Sequence, residues 1–262
     1  MVLFRGDIKC KSLQRRTSIS VILPADNIHF LAGTDEIVPK PYKTLYLLHG
    51  LYGSDDIFLA NTSIQKFAED MGLAVVIPCG DNSFYVDKTD SHEFYGQYVG
   101  SELLDITRNI FPLSDKREDT FIAGFSMGGY GAIRNGLKYC ENFSKIGMIS
   151  PALITDDIIN YGDDSNVLRS RSFYESCFGD LSKVKGSDMD PKHLIDTCRD
   201  IPDIYMACGV DDFLFDKCSD FYMYLKSKNV DATFVGDDGE HTWEFCDKYI
   251  KEFIKTLNLK TS

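Results

Sequence analysis

The chain has 262 residues, 44% of them hydrophobic, which is enough to bury the core of a large α/β domain. Its 40 acidic residues outnumber 28 lysines and arginines, and the resulting net charge of −12 repels phosphate backbones and anionic lipids. We therefore expect no nucleic-acid partner and no membrane partner, and polyanionic substrates are mildly disfavoured.

The eight cysteines are scattered along the chain without Cys-x-x-Cys pairs. This spacing indicates neither a zinc site nor a disulfide framework, and it is typical of a protein kept in a reducing compartment. Residues 1–7 are charged too early for a signal peptide, and no apolar run approaches a membrane span. We expect a cytoplasmic protein. Since no composition shift or repeat marks a linker, the sequence predicts a single domain over residues 1–262.

Short apolar runs alternate with helical patterns along most of the chain. The predicted strands cover 17–24, 45–48, 73–78, 120–123, 146–150, 204–208 and 231–235. The predicted helices, whose apolar residues are spaced to form one face, cover 64–71, 103–110, 130–139, 214–225 and 243–257. Strands that alternate with helices through short links predict an α/β fold with a mostly parallel sheet and helices on both faces.

Three stretches depart from a plain alternation of buried strands and helices. Residues 17–24 alternate apolar and small polar side chains, which predicts a half-exposed strand near a sheet edge. A loop with Asp26, Asn27 and Gly33 follows this strand. Residues 152–200 are polar and lack clear strands. A segment of that length is typical of a functional insertion, so we predict a small cap over the sheet edge, with an ordinary surface excursion as the alternative.

The six residues from Gly124 to Gly129 lie between a predicted strand and a predicted helix. Gly-x-Ser-x-Gly in that context is typical of a nucleophile elbow, where the serine has a strained backbone. Glycines flank it because a Cβ there would collide with the neighbouring strand or helix. The pattern predicts that the Ser126 hydroxyl is exposed at the carboxyl edge of the sheet, although a glycine-rich turn before a helix would give the same letters.

A serine nucleophile needs a base to take its proton and an acid to orient that base. The α/β-hydrolase order is Ser, then Asp or Glu, then His, on loops after late strands. His241 follows the last predicted strand, and it is the only histidine after position 193. Asp211 and Asp212 follow the strand before it, and Asp237 and Asp238 lie on the loop of His241 itself. The residues alone leave the choice between Asp211 and Asp212 open.

Acyl transfer also needs donors for the oxyanion that develops on the substrate. By position, these are the backbone N–H groups of Met127, after the nucleophile, and of Leu51, after the strand over 45–48. We predict a structural role for His49, whose ring would support the oxyanion loop. No phosphate-binding loop and no cluster with metal-ligand spacing occurs, so we expect neither a cofactor nor a metal.

Four stretches of the chain resemble the putative-esterase (esterase D-like) group of α/β-hydrolases. They are Leu47–Gly50, Gly124–Ala132, Cys208–Leu214 and Gly239–Trp243, and the similarity spans roughly residues 17–255. The resemblance implies an α/β-hydrolase fold. It also favours Asp212 over Asp211, because the acid of this family lies three places after the glycine and just before Phe-Leu.

The resemblance further implies a serine carboxylesterase that acts on a small-molecule ester with a short acyl, acetyl or cinnamoyl (feruloyl) group. S-formylglutathione hydrolases belong to the same group, but the stretches around Leu51 and Asp81 depart from the pattern of that branch. Thioester hydrolysis is therefore the alternative activity, and a non-catalytic binding protein with this fold is a further one. The sequence leaves open whether the chain forms a homo-oligomer.

Overall fold

The fold is built on one eight-stranded sheet, seen in a computed structural model that describes residues 2–25, 39–162 and 170–259. The strands in this part of the chain are β1 (Val2–Cys10), β2 (Arg15–Leu23), β3 (Thr44–Leu48), β4 (Ala74–Pro78), β5 (Asp87–Lys88), β6 (Glu93–Phe94), β7 (Thr120–Phe125), β8 (Lys145–Ile149), β9 (Asp203–Gly209) and β10 (Ala232–Asp237). The predicted loop with Asp26, Asn27 and Gly33 lies outside the described residues.

The strand order in the main sheet is β1-β2-β4-β3-β7-β8-β9-β10. The strands from β4 to β10 in this order pair in parallel, whereas β1 and β2 are antiparallel to their neighbours. β5 and β6 form a separate two-stranded ribbon. The prediction of a mostly parallel sheet is confirmed, and it places the carboxyl ends of β3, β7, β9 and β10 at one edge.

Helices cover both faces of the sheet, as the sequence predicts. They are α1 (Ile57–Asn61), α2 (Ile64–Asp70), α3 (Tyr95–Gln97), α4 (Leu103–Ile110), α5 (Met127–Lys138), α6 (Arg171–Phe178), α7 (Pro191–Thr197), α8 (Phe215–Ser227) and α9 (Trp243–Lys255). Side chains of α4, α5 and α8 pack on one face, and those of α1, α2 and α9 pack on the other. Successive residues of β3 alternate between the two cores, because side chains of a strand point to opposite faces.

The strand β2 is more buried than its alternating pattern indicates. β1, which the pattern did not predict, pairs with β2 along its whole length and takes the edge position. The Ser18 and Ser20 hydroxyls donate hydrogen bonds to the Asp55 carboxylate at 2.6 and 2.7 Å. The predicted position near a sheet edge is confirmed, but the predicted half-exposure is wrong, because seven of residues 17–24 are buried and Ser18 is half-buried.

The cap segment, residues 152–200, is described over 152–162 and 170–200 and contains α6 and α7. Its Tyr174 and Phe178 rings pack against Phe84, with ring centroids 6.1 and 5.0 Å away. The Tyr130 hydroxyl, on α5, donates a hydrogen bond of 2.6 Å to the Met189 carbonyl. The cap segment thus packs on the helix that follows the elbow. That it reaches over Ser126 stays a prediction.

Candidate active site

The turn between β7 and α5 has the strained geometry that the elbow pattern predicts. Ser126 has φ +58° and ψ −119°, a conformation that costs about 1–3 kcal/mol for a residue other than glycine. Its N–H donates a hydrogen bond of 3.0 Å to the Ile149 carbonyl on β8. A Cβ on Gly128 would overlap the Leu48 carbonyl, and one on Gly124 would overlap the Gly128 carbonyl. The flanking glycines therefore allow the close approach of strand and helix.

The loops after β9 and β10 are joined by backbone hydrogen bonds. The Val210 N–H donates to the Asp237 carbonyl at 2.9 Å, and the Asp211 N–H donates to the Gly239 carbonyl at 3.1 Å. A Cβ on Gly209 would overlap the Gly239 carbonyl, so only glycine permits this approach. The backbone thus holds together the two loops that carry the predicted acid and base.

Asp212 and His241 meet between these loops. Asp212 Oδ2 lies 2.8 Å from His241 Nδ1, and Asp212 Oδ1 accepts a hydrogen bond of 2.9 Å from the Leu214 N–H. The Asp212 side chain is fully buried and that of His241 is 20% exposed. Burial alone would raise the pKa of Asp212, but its hydrogen-bond donors, His241 foremost, hold that pKa below the ordinary value. The carboxylate stays ionised and can orient the imidazole.

The other acidic candidates lie elsewhere. Asp211 and Asp238 are exposed. The Asp237 carboxylate accepts hydrogen bonds from Lys248 Nζ, at 2.5 Å, and from the Tyr249 hydroxyl. The structure therefore separates Asp212 from Asp211, which the residues alone could not do.

The His241 ring packs on Phe125, the residue that precedes the predicted nucleophile Ser126. The Phe125 ring stacks on the imidazole with centroids 4.7 Å apart, and the Phe213 ring packs on it at 4.8 Å. No hydrogen bond joins Ser126 Oγ to His241 among the described contacts. Such bonds often close only when substrate is bound. Phe125 and Phe213 were missed as site residues, although their signal was present: each directly adjoins a predicted catalytic residue.

The loop after β3 runs past the nucleophile, and His49 supports it. A Cβ on Gly50 would lie 3.2 Å from Ser126 Cβ. His49 is fully buried, its Nε2 accepts a hydrogen bond of 2.8 Å from the Gly80 N–H, and Nδ1 lies 2.7 Å from the Gly50 carbonyl. Because Nε2 accepts from an amide, Nδ1 carries the proton and donates to that carbonyl. Burial lowers the pKa of His49, which keeps the ring neutral and supports a structural role.

The two predicted oxyanion donors are backbone amides in the loop after β3 and at the start of α5. Leu51 directly follows Gly50, and Met127 is the first residue of α5, where an N–H has no acceptor within the helix. Among the loop and turn hydrogen bonds of the described backbone, neither amide donates to a carbonyl. Both groups are therefore free to bind an oxyanion at the start of a helix that favours negative charge. That they do so stays a prediction.

Within residues 2–25, 39–162 and 170–259, no group of three or more His, Cys, Asp or Glu is placed to hold a metal ion. In the same ranges, no helix is both long and apolar enough to cross a membrane. All eight cysteines carry free thiols.

Known proteins resemble this chain in both sequence and fold. A sequence model of the family described as putative esterase matches residues 10–213. An acetyl esterase of Caldicellulosiruptor saccharolyticus is 41% identical over 263 aligned residues, which cover 98% of each protein.

Solved structures share the fold at full length. A fluorophosphonate-binding serine hydrolase of Staphylococcus aureus superposes with a TM-score of 0.84, at 33% identity and with 98% of both chains covered. An S-formylglutathione hydrolase of the same organism gives 0.83, at the same identity and coverage. A ferulic acid esterase, 20% identical with a TM-score of 0.72, supports the fold alone. The fold is that of the α/β-hydrolases.

Proposed function

The chain belongs to the putative-esterase family and is a carboxylic ester hydrolase, and we propose that it cleaves acetyl and other short-chain acyl esters through an acyl-enzyme. The acetyl esterase that matches over nearly the whole chain supports this substrate class. The observation that carries the proposal is the 2.8 Å contact between Asp212 and His241, whose ring stacks on Phe125, the residue before an elbow serine with φ +58°. A serine, a histidine base and a buried carboxylate in this order supply what acyl transfer requires.

In the first half of the reaction, Ser126 Oγ attacks the ester carbonyl carbon while His241 Nε2 takes the hydroxyl proton. Asp212 accepts the Nδ1–H of the ring, which fixes one tautomer and stabilises the imidazolium that forms. The N–H groups of Leu51 and Met127 bind the oxyanion of the tetrahedral intermediate. When that intermediate collapses, the bond to the alcohol oxygen breaks and His241 gives its proton to the leaving alcohol. The acyl group remains on Oγ.

In the second half, water replaces the alcohol. His241 removes a proton from the water, whose oxygen attacks the acyl carbon, and the carboxylic acid leaves as the proton returns to Ser126. The same donors stabilise the second oxyanion. The surroundings of the acyl group set the range of chain lengths, and we include cinnamoyl groups such as feruloyl among the candidates. We also propose a cytoplasmic location, since eight free thiols fit a reducing compartment.

A series of p-nitrophenyl esters tests the substrate class. We expect rapid release of p-nitrophenol from the acetate and butyrate esters, a decline with longer chains, and a separate measurement with methyl ferulate for the cinnamoyl class. Ser126→Ala should abolish turnover, while the control Ser227→Ala, a change on α8 outside the site, should leave it unchanged. Equal turnover by wild type and Ser126→Ala would refute the proposal.

A second candidate is thioester hydrolysis of S-formylglutathione. It is favoured by the S-formylglutathione hydrolase structure, 33% identical with 98% of both chains covered. The same three side chains would serve, since only the leaving group differs. We expect kcat/KM to be higher for p-nitrophenyl acetate than for S-formylglutathione. A preference for the thioester of more than about 100-fold, which corresponds to about 2.7 kcal/mol in the transition state, would favour the second candidate.

A further inference from the structure

Ser150 is a strained and fully buried serine directly after β8. Its φ is +43°, in the left-handed region that a residue other than glycine or asparagine rarely adopts. The N–H of Ser150 donates a hydrogen bond of 2.7 Å to the Ala207 carbonyl on β9, which fixes the backbone beside the loop of Asp212. Strain of this kind persists only where the surroundings impose it, and it is concentrated at functional sites.

The Ser150 hydroxyl forms no hydrogen bond with any other described residue. In the part of the chain that the structure describes, its Oγ is one of three buried side-chain polar atoms without a partner, with Thr17 Oγ1 and the Tyr98 hydroxyl. A buried hydroxyl left unpaired costs free energy that a nearby acceptor would recover. The nearby acceptor is Asp212, whose pKa the Ser150 hydroxyl helps to hold below its ordinary value, after the larger contribution of His241.

The Asp212 carboxylate has room for this donor. One oxygen is used by His241 and the other by the Leu214 N–H, and each carboxylate oxygen accepts two hydrogen bonds. The titratable groups that face it are His241 and the Cys218 thiol of α8. The Cys208 thiol, burial and the charge of Asp212 all raise the pKa of Cys218, so that thiol is neutral. Ser150 is thus a neutral donor available to this carboxylate.

We propose that Ser150 is a positioning residue, whose hydroxyl donates a third hydrogen bond to Asp212 and so keeps that carboxylate aimed at His241. This inference rests on the proposed function, in which Asp212 orients the base. The strained backbone is part of the arrangement, because the left-handed turn after β8 fixes where the side chain begins. Ser150 acts through Asp212 and touches no reacting atom.

Two variants separate the hydroxyl from the strain. Ser150→Ala removes the hydroxyl and keeps the strained backbone, whereas Ser150→Gly removes both. In either variant we expect kcat to fall about tenfold, the size of one hydrogen bond to a charged group, with KM unchanged. The acid limb of the kcat/KM profile should move to higher pH, because a less stabilised carboxylate holds the imidazolium more tightly. Thr17→Val, which removes another buried hydroxyl three strands away from β7, should leave the limb in place.

The results separate a failure of the proposed Ser150 role from a failure of the proposed esterase activity. A fall in kcat and a shifted acid limb in both variants support the inference. An unchanged profile in both variants overturns it, as does a lower melting temperature with the acid limb unmoved, because that result assigns Ser150 a purely structural role. Ser126→Ala is measured alongside: activity equal to wild type would refute the proposed function instead.

Discussion

The elbow leads into α5 and the cap segment packs against the same helix, but different interactions hold the two regions in place. The elbow is fixed by its backbone, since Ser126 has a positive φ and two glycines permit contacts that no other residue allows. The cap segment is held by side chains that reach it from α5 and from the loop after β4. Steric constraints on the backbone act between residues that are close in sequence, so they produce a recognisable sequence motif. Side-chain contacts join residues that are distant in sequence, so they produce no local sequence pattern.

The ionic contacts of the cap segment centre on Arg134, a fully buried residue of α5. Its Nη2 lies 2.6 Å from Asp188 Oδ2, and its Nε donates to the Asp188 carbonyl at 3.0 Å. Lys138 Nζ lies 2.5 Å from the same carboxylate. Asp87, from the ribbon of β5 and β6, joins both cations at 3.5 and 3.1 Å. Two carboxylates and two cationic side chains thus form an ion-pair network that links α5, the ribbon and the cap segment.

The comparison predicts its largest effect in the elbow. Gly128→Ala places a Cβ against the Leu48 carbonyl, a backbone atom that cannot move away without breaking the sheet. We expect a loss of more than about 4 kcal/mol in the free energy of unfolding, together with all activity. Urea unfolding measures the first quantity. The control is Gly6→Ala on β1, where a Cβ meets nothing within 4 Å. A stable and active Gly128→Ala protein would contradict the steric account.

The ring of Phe84, which packs between α5 and the cap segment, should give the next largest loss of stability when it is removed. Phe84 is 1% exposed and packs on Tyr130, Tyr174 and Phe178. Phe84→Ala leaves a cavity, for which we expect a loss of about 3–4 kcal/mol in stability. The activity of the folded fraction should persist, because the elbow does not depend on this ring. The control is Phe4→Ala, which removes an exposed ring of β1. A Phe84→Ala protein that loses kcat without losing stability would contradict the view that this ring supports stability alone.

Removing the buried cation should have a smaller effect. Arg134→Met keeps the packing of the long side chain but leaves Asp188 and Asp87 with Lys138 alone. Because both carboxylates are partly exposed, we expect a loss of about 2–3 kcal/mol, below that of a fully buried broken pair. Thermal unfolding measures it, with the exposed Arg16→Met as control. No difference between the two variants would show that the ionic link does not hold the cap segment.

The smallest effect concerns acid stability. Burial would raise the pKa of Asp188, but Arg134 and Lys138 lower it below the ordinary aspartate value. A carboxyl whose pKa is lower in the folded state stabilises the protein above its unfolded pKa, about 3.9, and this contribution is lost as the pH falls through the folded value. Asp188→Asn should therefore be less stable than wild type at neutral pH, with the difference vanishing in acid. A difference independent of pH would contradict the charge argument.

The sequence predicted the parts of the molecule that local sterics and periodicity determine. The elbow around Ser126, the late loop of His241 and the parallel strands of the sheet were all predicted. The edge strand β1 was not, because most of its residues are exposed and its structure comes from pairing with β2. Nor could the pairing of Ser18 and Ser20 with Asp55 be foreseen, since that partner lies over thirty residues away.

The sequence alone also could not decide which aspartate orients His241. Asp211 and Asp212 are adjacent and chemically identical, so spacing alone could not separate them. What separates them is the pairing of Gly239 with the loop after β9, which turns Asp212 inward and leaves Asp211 in solvent. The contacts of Arg134 escape sequence reasoning for a related reason: a charged residue in a helix predicts exposure until its partners are known.

In the proposed reaction Ser126 is an activated nucleophile, and covalent labelling tests this property most directly. A fluorophosphonate probe reacts with a serine hydroxyl only when a base removes its proton, so intact-mass and peptide mass spectrometry can locate the modified residue. We expect one probe per chain, on Ser126, with labelling abolished in Ser126→Ala and strongly slowed in His241→Ala. An unlabelled wild-type protein, or a probe attached to another serine, would contradict it.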